Sequence, residues 1–580
     1  MRARFLAILR LGGGALPAGR IEQAGTAASK LDLLVHTDRL LLWSNGGMVA
    51  PGHVGQAIVG ELFERGSMRP QRSIADAGWA AIGRSRGQIL VERYWGAYVA
   101  FAAEQHRVAV VRAPLGDVGC FYARTPDALM MASDIALLRD AIGRSPSVDA
   151  QALVRHIAWP EWRRDETCLE SVRELRGGDR LLVSPDGVAC ETLWSPWAFV
   201  ARDWLIDDPD EAARAIGQAV RVSVSARAAS SNRLLLLLSG GLDSAIVAAS
   251  LARVQADFSC LNLVGDDAAS DEQSYAGLVA RSVGAELHVQ SFDLKRVDVG
   301  RSGAAHMPYP VHRCFTQAQD SLAAEVAERQ GADMILDGGG GDNVFFASRS
   351  VSILADCLIV GGFDRRFRSA TRTLGDLGQA GCLSLAGKAV HRAWCRSPAP
   401  RQAASDAFLS DMAKAVVAQT PPHPWFMPPP GVVPGRASHA ALLVPAQNLV
   451  EAINAQAAPR AVSPLVTQPV IEACLRIPSW HWLAPGRDRA AARHAFERDL
   501  PAAIIDRRSK GTPTGFVATI FDCHRRAIRE MLLGGRLAAL GIVDTAALAR
   551  ALDIAGPVRD LRFVRIMDLV DAEAWARAQS

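Results

Sequence analysis

The sequence predicts two domains: a β-rich N-terminal unit with short helices, then an α/β unit built on a doubly wound parallel sheet with added helices. Three observations predict this. The chain has 580 residues, more than one hydrophobic core organises. Five consecutive leucines, Leu234 to Leu238, have neither helical nor alternating period, as expected of a strand covered on both faces. After that run strand and helix patterns alternate, whereas before it strands follow one another across polar turns.

Composition bounds the function. Apolar residues make up 49% and charged residues 21%, which is globular. A net charge of +4 is small for this length, so nothing points to nucleic acid. The ten cysteines lie apart, with no CxxC or other zinc spacing, and read as reduced thiols, mostly small core residues. No apolar run reaches membrane-spanning length, so the expectation is a soluble, cytoplasmic protein with no membrane partner. "FLAIL", near the N-terminus, is too short for a signal-peptide core and reads as a first strand. Only five of the 64 basic residues are lysines (Lys30, Lys295, Lys388, Lys414 and Lys510), so a lysine inside a motif stands out.

Residues 1–195 form the first unit. "GQILVERYWGAYVAFAAE" and "HRVAVVRAPLGDVGCFYART" read as strands, "ALMMASDIALLRDAIG" as a strand leading into a helix, and "SPDG" as a turn between later strands. Residues 196–206, within "LWSPWAFVARDWLIDDPDE", have the proline and tryptophans of a linker, and the second unit runs over 207–580.

The organising motif is "LLLLLSGGLDSAIVAASLA", a strand, a glycine turn and a helix. Unpaired N–H groups at a helix start, together with the helix dipole, favour an anion there. Gly240 and Gly241 let the backbone approach a phosphate closely, and Ser239 and Ser244 add hydroxyls. The motif is not a Walker loop, because no "GK[ST]" follows. A second strand–glycine motif, "MILDGGGGDNVFF", places four glycines before Asp342, and its backbone entropy cost argues for close approach or positive φ. Asp271 and Glu272 read equally as an acidic pair at a helix start or as site residues. The segment "TPPHPWFMPPPGVVPGR" reads either as a surface linker or as the semi-rigid wall of a peptide site that uses Trp425 and Phe426.

These motifs resemble the asparagine synthetase B and β-lactam synthetase superfamily. "SGGLDS" is similar to the pyrophosphate loop "SGGxDS" of ATP-pyrophosphatases, and "RRSKG" to "RxKxG". "YWGAYVAF", "MMASDIALL" and "LRGGDRLLV" resemble the glutaminase domain, an Ntn-type α+β sandwich. Position 2 is Arg2, and no cysteine occurs before Cys120, so the N-terminal nucleophile is missing and that domain is expected to be catalytically inactive.

The resemblance implies ATP and Mg²⁺. It places ATP on Leu237, Ser239, Gly240, Gly241, Asp243, Ser244, Leu263, Gly338 and Arg493, with Mg²⁺ on Asp243 and Asp342. It makes Lys510 and Arg489 catalytic, and Arg489 and Arg493, four residues apart, are expected on one helix face against one polyanion. The glutamate or tyrosine that relatives carry three residues before the metal aspartate is Gly339, so the resemblance supplies no general base there. With "DGGGGDNVF", "SPLVTQPVIEACLRIPSW" and "GRDRAAARHAF", the chain resembles most a lasso peptide cyclase. That implies adenylation of an Asp or Glu side chain of a precursor peptide and its joining to the peptide's α-amine, with release of AMP and pyrophosphate. A leader peptidase and a precursor-recognition protein are the implied partners. Asparagine synthetase, β-lactam synthetase-like amidation and a non-catalytic scaffold are the competing readings.

Overall fold

The computed structural model describes residues 2–12, 16–104, 106–201, 204–265, 272–451, 459–508, 511, 514–553 and 560–579. The N-terminal unit is a sandwich of two six-stranded antiparallel sheets. One has the order Val172–Glu174, Phe121–Arg124, Ala128–Ala132, Phe5–Arg10, Leu40–Ser44, Asp32–His36. The other runs Gly187–Thr192, Asp179–Ser184, Val108–Arg112, Tyr94–Ala103, Gln56–Glu64, Met48–Val49. Side-chain alternation builds the layers. Phe5, Ala7 and Leu9 face the second sheet, where Phe5 meets Phe101 edge-on with ring centroids 5.5 Å apart. Leu6 and Ile8 face outward onto helices Ile135–Ile142 and Ala150–Ala158. On the far side, Ile58, Leu62 and Tyr98 pack under Trp79, Ile82 and Leu90.

The C-terminal unit holds a five-stranded, all-parallel sheet ordered Leu287–Ser291, Phe258–Val264, Leu234–Leu237, Met334–Leu336, Arg460–Val462. The leucine run is explained by two covered faces. Leu234, Leu236 and Leu238 enter the core with helix Leu242–Arg253, while Leu235 packs on the opposite face against Ala323, Val326 and Ala327 of helix Thr316–Gln330. Among the described residues no helix is long and apolar enough to cross a membrane.

A buried ionic chain joins the two units. Arg2 Nε lies 3.1 Å from Asp117, and Arg460 reaches the same carboxylate through Nε at 2.9 Å. Arg460 also contacts Glu61 at 2.9 Å, and Glu61 pairs with Arg227 at 2.7 Å. Arg460 opens the last strand of the parallel sheet, so Arg2 of the sandwich is tied to that sheet through Asp117.

The proline-rich segment lies at the surface through Pro421, Pro422, Pro424, Pro429 and Pro430, while its aromatic residues turn inward and line no part of the cavity described below. Trp425 and Phe426 are buried between the units, Trp425 edge-on to Trp194 and Phe426 tilted against Trp162. His423 makes this packing polar-compatible: its Nδ1 accepts from the Trp425 N–H at 3.1 Å while its Nε2 sits 3.0 Å from the Arg163 carbonyl.

Candidate functional site

At the carboxyl ends of the parallel strands, where open α/β sheets bind ligands, lies a cavity of about 1220 Å³. Its floor is made by the two glycine motifs. The Leu234–Leu237 strand ends at Ser239, whose hydroxyl lies 3.2 Å from that of Ser244, in the first turn of the following helix. Gly240 adopts φ +72°, and a Cβ there would meet the Ala276 amide at 2.6 Å. The second motif presses backbone to backbone onto the first. A Cβ on Gly338 would lie 2.5 Å from the Ser244 nitrogen and 2.9 Å from the Asp243 carbonyl carbon. Gly338→Ala is therefore expected to weaken MgATP binding at least about tenfold by calorimetry, because backbone cannot yield as a side chain can. Gly387→Ala, in open space, is the control, and equal affinities in the two variants would remove the steric argument.

The charged centre of the site is Arg489. Its Nη1 donates to both carboxylate oxygens of Asp243 at 3.1 Å and to Asp342 at 2.6 Å. Burial works against the guanidinium's charge, but the carboxylates of Asp243 and Asp342 outweigh it and hold its pKa above the ordinary value. Two carboxylates thus already converge on one positive charge. Two carboxylates completed by substrate phosphate oxygens are an ordinary Mg²⁺ set, so the residues fit that ion.

Leu237, Ser239, Gly241, Asp243, Ser244, Leu263, Gly338 and Arg489 all line the cavity. Gly240 instead turns its carbonyl to Arg507, which donates to it at 2.8 Å. Asp342 reaches the cavity edge through Arg489. Lys510 and Asp271 lie outside the described residues.

Arg493 departs from expectation. The helix begins at Ala490, and Arg489 precedes it in a left-handed conformation with φ +50°, so four-residue spacing does not place the two arginines on one face. Arg493 is buried and turned away from the cavity. It donates to the carbonyls of Asp488 at 2.8 Å and Arg507 at 3.0 Å and also to that of Ile505. Its role is to hold the chain leading into "RRSKG".

Two contributors were not singled out from sequence. Arg507 stacks over Tyr275 at 4.1 Å and pairs with Glu272 at 3.0 Å, and Glu272 also accepts from the Gly511 N–H at 3.2 Å. This clip ties Arg507 and Gly511 to Glu272 and to the Gly240 loop and gives Glu272 a positioning role. Asp337, the first residue of "DGGGGD", lines the cavity beside Gly338 and Gly339. Its signal was an acidic residue at a strand end inside an already suspicious motif.

The two sandwich positions singled out from sequence offer no activated thiol, although Cys190, on strand Gly187–Thr192, is exposed. Arg2 is engaged with Asp117, and Cys120 is fully buried with its thiol pushed up to about 12 by desolvation.

Residues 215–355 and 457–577 match the family model described as asparagine synthase. The match supports an asparagine synthetase-like domain, and that family comprises ATP-dependent amide-forming ligases. No curated protein matches the sequence. Among solved structures, the allosteric regulatory enzyme of purine biosynthesis is 11% identical, covering 50% of this chain and 80% of that one, with a TM-score of 0.23. Glutamine phosphoribosylpyrophosphate amidotransferase from B. subtilis, complexed with ADP and GMP, is 10% identical, covering 52% and 83%, with a TM-score of 0.22. Neither superposition is close enough to carry an argument about this chain.

Proposed function

We propose that this protein is an ATP-dependent macrolactam synthetase of the lasso peptide cyclase type. The observation that carries the reading is the meeting of the two glycine loops across one cavity, with Asp243, Asp342 and Arg489 gathered at the junction. The cavity volume, about 1220 Å³, exceeds the roughly 300–1,000 Å³ of an ordinary small-molecule site and leaves room for a peptide beside a nucleotide. A peptide α-amine carried by the substrate itself needs no ammonia from the sandwich.

ATP binds with its phosphates on Ser239, Gly241 and Ser244 and on the unpaired N–H groups of the helix start. Mg²⁺ held by Asp243 and Asp342 supplies neutralisation of triphosphate charge when bound. A peptide side-chain carboxylate attacks the α-phosphorus, the bond to the β-phosphate oxygen breaks, and pyrophosphate leaves with that electron pair. Arg489 offers its charge to the departing phosphates, and Lys510 to the oxyanion formed next. The peptide α-amine attacks the acyl carbon, AMP departs and an isopeptide bond remains. Holding the folded peptide in place before closure makes the enzyme an entropy trap. A leader peptidase and a precursor-recognition protein are the proposed partners.

The test is mass spectrometry of a reaction containing this protein, MgATP, the candidate peptidase and the precursor peptide. A product lighter than the linear core by one water, formed together with AMP, is expected. The family description favours small-molecule amidation as the second reading. AMP formation with free aspartate and ammonia, without peptide dehydration, would establish it instead.

A further inference from the structure

Gly339 is a gap in the site. The resemblance leads one to expect a proton-accepting side chain at that position, and the chain has none. The structure shows what occupies the space. A Cβ on Gly339 would lie 2.9 Å from Asp337 Oδ1 and 3.0 Å from Ser463 Oγ. The Asp337 carboxylate folds back over its own loop, accepting the Gly339 N–H at 2.8 Å. A side chain at 339 and this carboxylate are therefore alternatives for one place.

We propose that Asp337 is the proton acceptor for the amine nucleophile, delivering from two residues earlier the function that Gly339 cannot supply. This inference rests on the amide-forming reading above. Asp337 lines the same cavity as Asp243 and Arg489. Two donors reach its carboxylate, the Gly339 N–H and the Ser463 hydroxyl. A carboxylate has about four lone-pair sites, so acceptor capacity toward the cavity remains. Asp243 and Asp342 are different: both are already paired with Arg489. Among the described residues, no basic side chain pairs with Asp337. Burial raises its pKa above the ordinary carboxylate value, Asp320 on the overlying helix adds to this, and the Ser463 and Gly339 donors oppose it. A carboxylate raised in this way is a better base near neutral pH.

The step balances simply. The amine lone pair forms the new C–N bond, the acyl C–O bond to the AMP phosphate breaks with its electrons going to AMP, and the proton shed by the nitrogen passes to Asp337 and then to solvent.

The experiment separates activation from amide formation. Wild type, Asp337→Asn and the double variant Asp337→Ser/Gly339→Glu are each given MgATP, the candidate peptidase and precursor peptide. Each is then given the same mixture with hydroxylamine, a small nucleophile that needs no enzyme base. For Asp337→Asn, hydroxamate formation is expected within about threefold of wild type, while ring closure falls about 10²–10⁴-fold, the ordinary worth of a general base. The double variant, which returns a carboxylate from position 339, is expected to recover at least about tenfold of that loss. An equal fall in hydroxamate and in closure would make Asp337 merely structural and overturn the proposal, as would unchanged closure. A double variant no better than Asp337→Asn would also count against it. A wild type that yields neither AMP nor hydroxamate from the peptide would defeat the amide-forming reading itself, and the proposal with it.

Discussion

Asp243→Asn is expected to lower AMP formation by about 10³-fold, the scale of losing one preorganised electrostatic group at a reacting phosphate. Asp243 sits in the first turn of helix Leu242–Arg253, with its side chain only 10% exposed and both oxygens accepting from Arg489. The carboxamide has nearly the same shape and can still accept one of those bonds. It cannot neutralise a dication, and it weakens the hold on Arg489. The fold should survive, because Asp342 still pairs with Arg489 at 2.6 Å. Pyrophosphate release gives the activity and a thermal melt gives the fold. Retention of more than about a tenth of wild-type release would remove Asp243 from the chemistry. A matching loss of secondary structure would make the result uninformative about metal, and Asp342→Asn, at a more exposed carboxylate, would then decide the assignment.

Arg460→Met is expected to destabilise the protein by about 3–5 kcal/mol, the usual cost of removing one partner from a buried ionic cluster. Arg460 is 11% exposed and satisfies Asp117 and Glu61 together. Without it Asp117 keeps Arg2 and Glu61 keeps Arg227, but each buried carboxylate loses a nearby positive charge. Acid titration provides a second readout. Burial alone would raise the Asp117 carboxyl, yet Arg460 and then Arg2 hold it well below the ordinary range. A depressed carboxyl contributes stability that is present above its unfolded value, near pH 4, and is lost as pH falls through the folded one. Arg460→Met should therefore lose less stability than wild type between about pH 4 and pH 2. Denaturant melts across that interval measure it, and parallel curves for the two proteins would contradict the proposed coupling.

Much of the fold was legible in the sequence because its signals are local. The leucine run announced a strand covered twice, and glycine and serine after it announced a turn into a helix. What sequence could not supply was direction. Arg493 stands in the expected spacing, yet its guanidinium turns to backbone carbonyls, because the helix starts one residue later than the spacing assumes. Trp425 and Phe426 sit in a stretch whose prolines suggest exposure, and only packing against Trp162 and Trp194, more than 200 residues away, reveals burial. Arg460 opens a three-residue strand with nothing local to mark it. Its partner Asp117 is 343 positions distant, and no local window relates the two. Asp337 was hidden for another reason: its significance depends on its carboxylate filling the space over Gly339.

The ionic chain from Arg2 to Arg227 also gives the sandwich a part to play that needs no catalysis. Cut away from its neighbour, the synthetase-like half would present Arg227 and Arg460 without their carboxylates, beside the bared aromatic rings of Trp425 and Phe426. Such a surface is prone to aggregate. The sandwich then acts as a permanently attached chaperone, and substitutions on its covered face are constrained by the solubility of the whole chain.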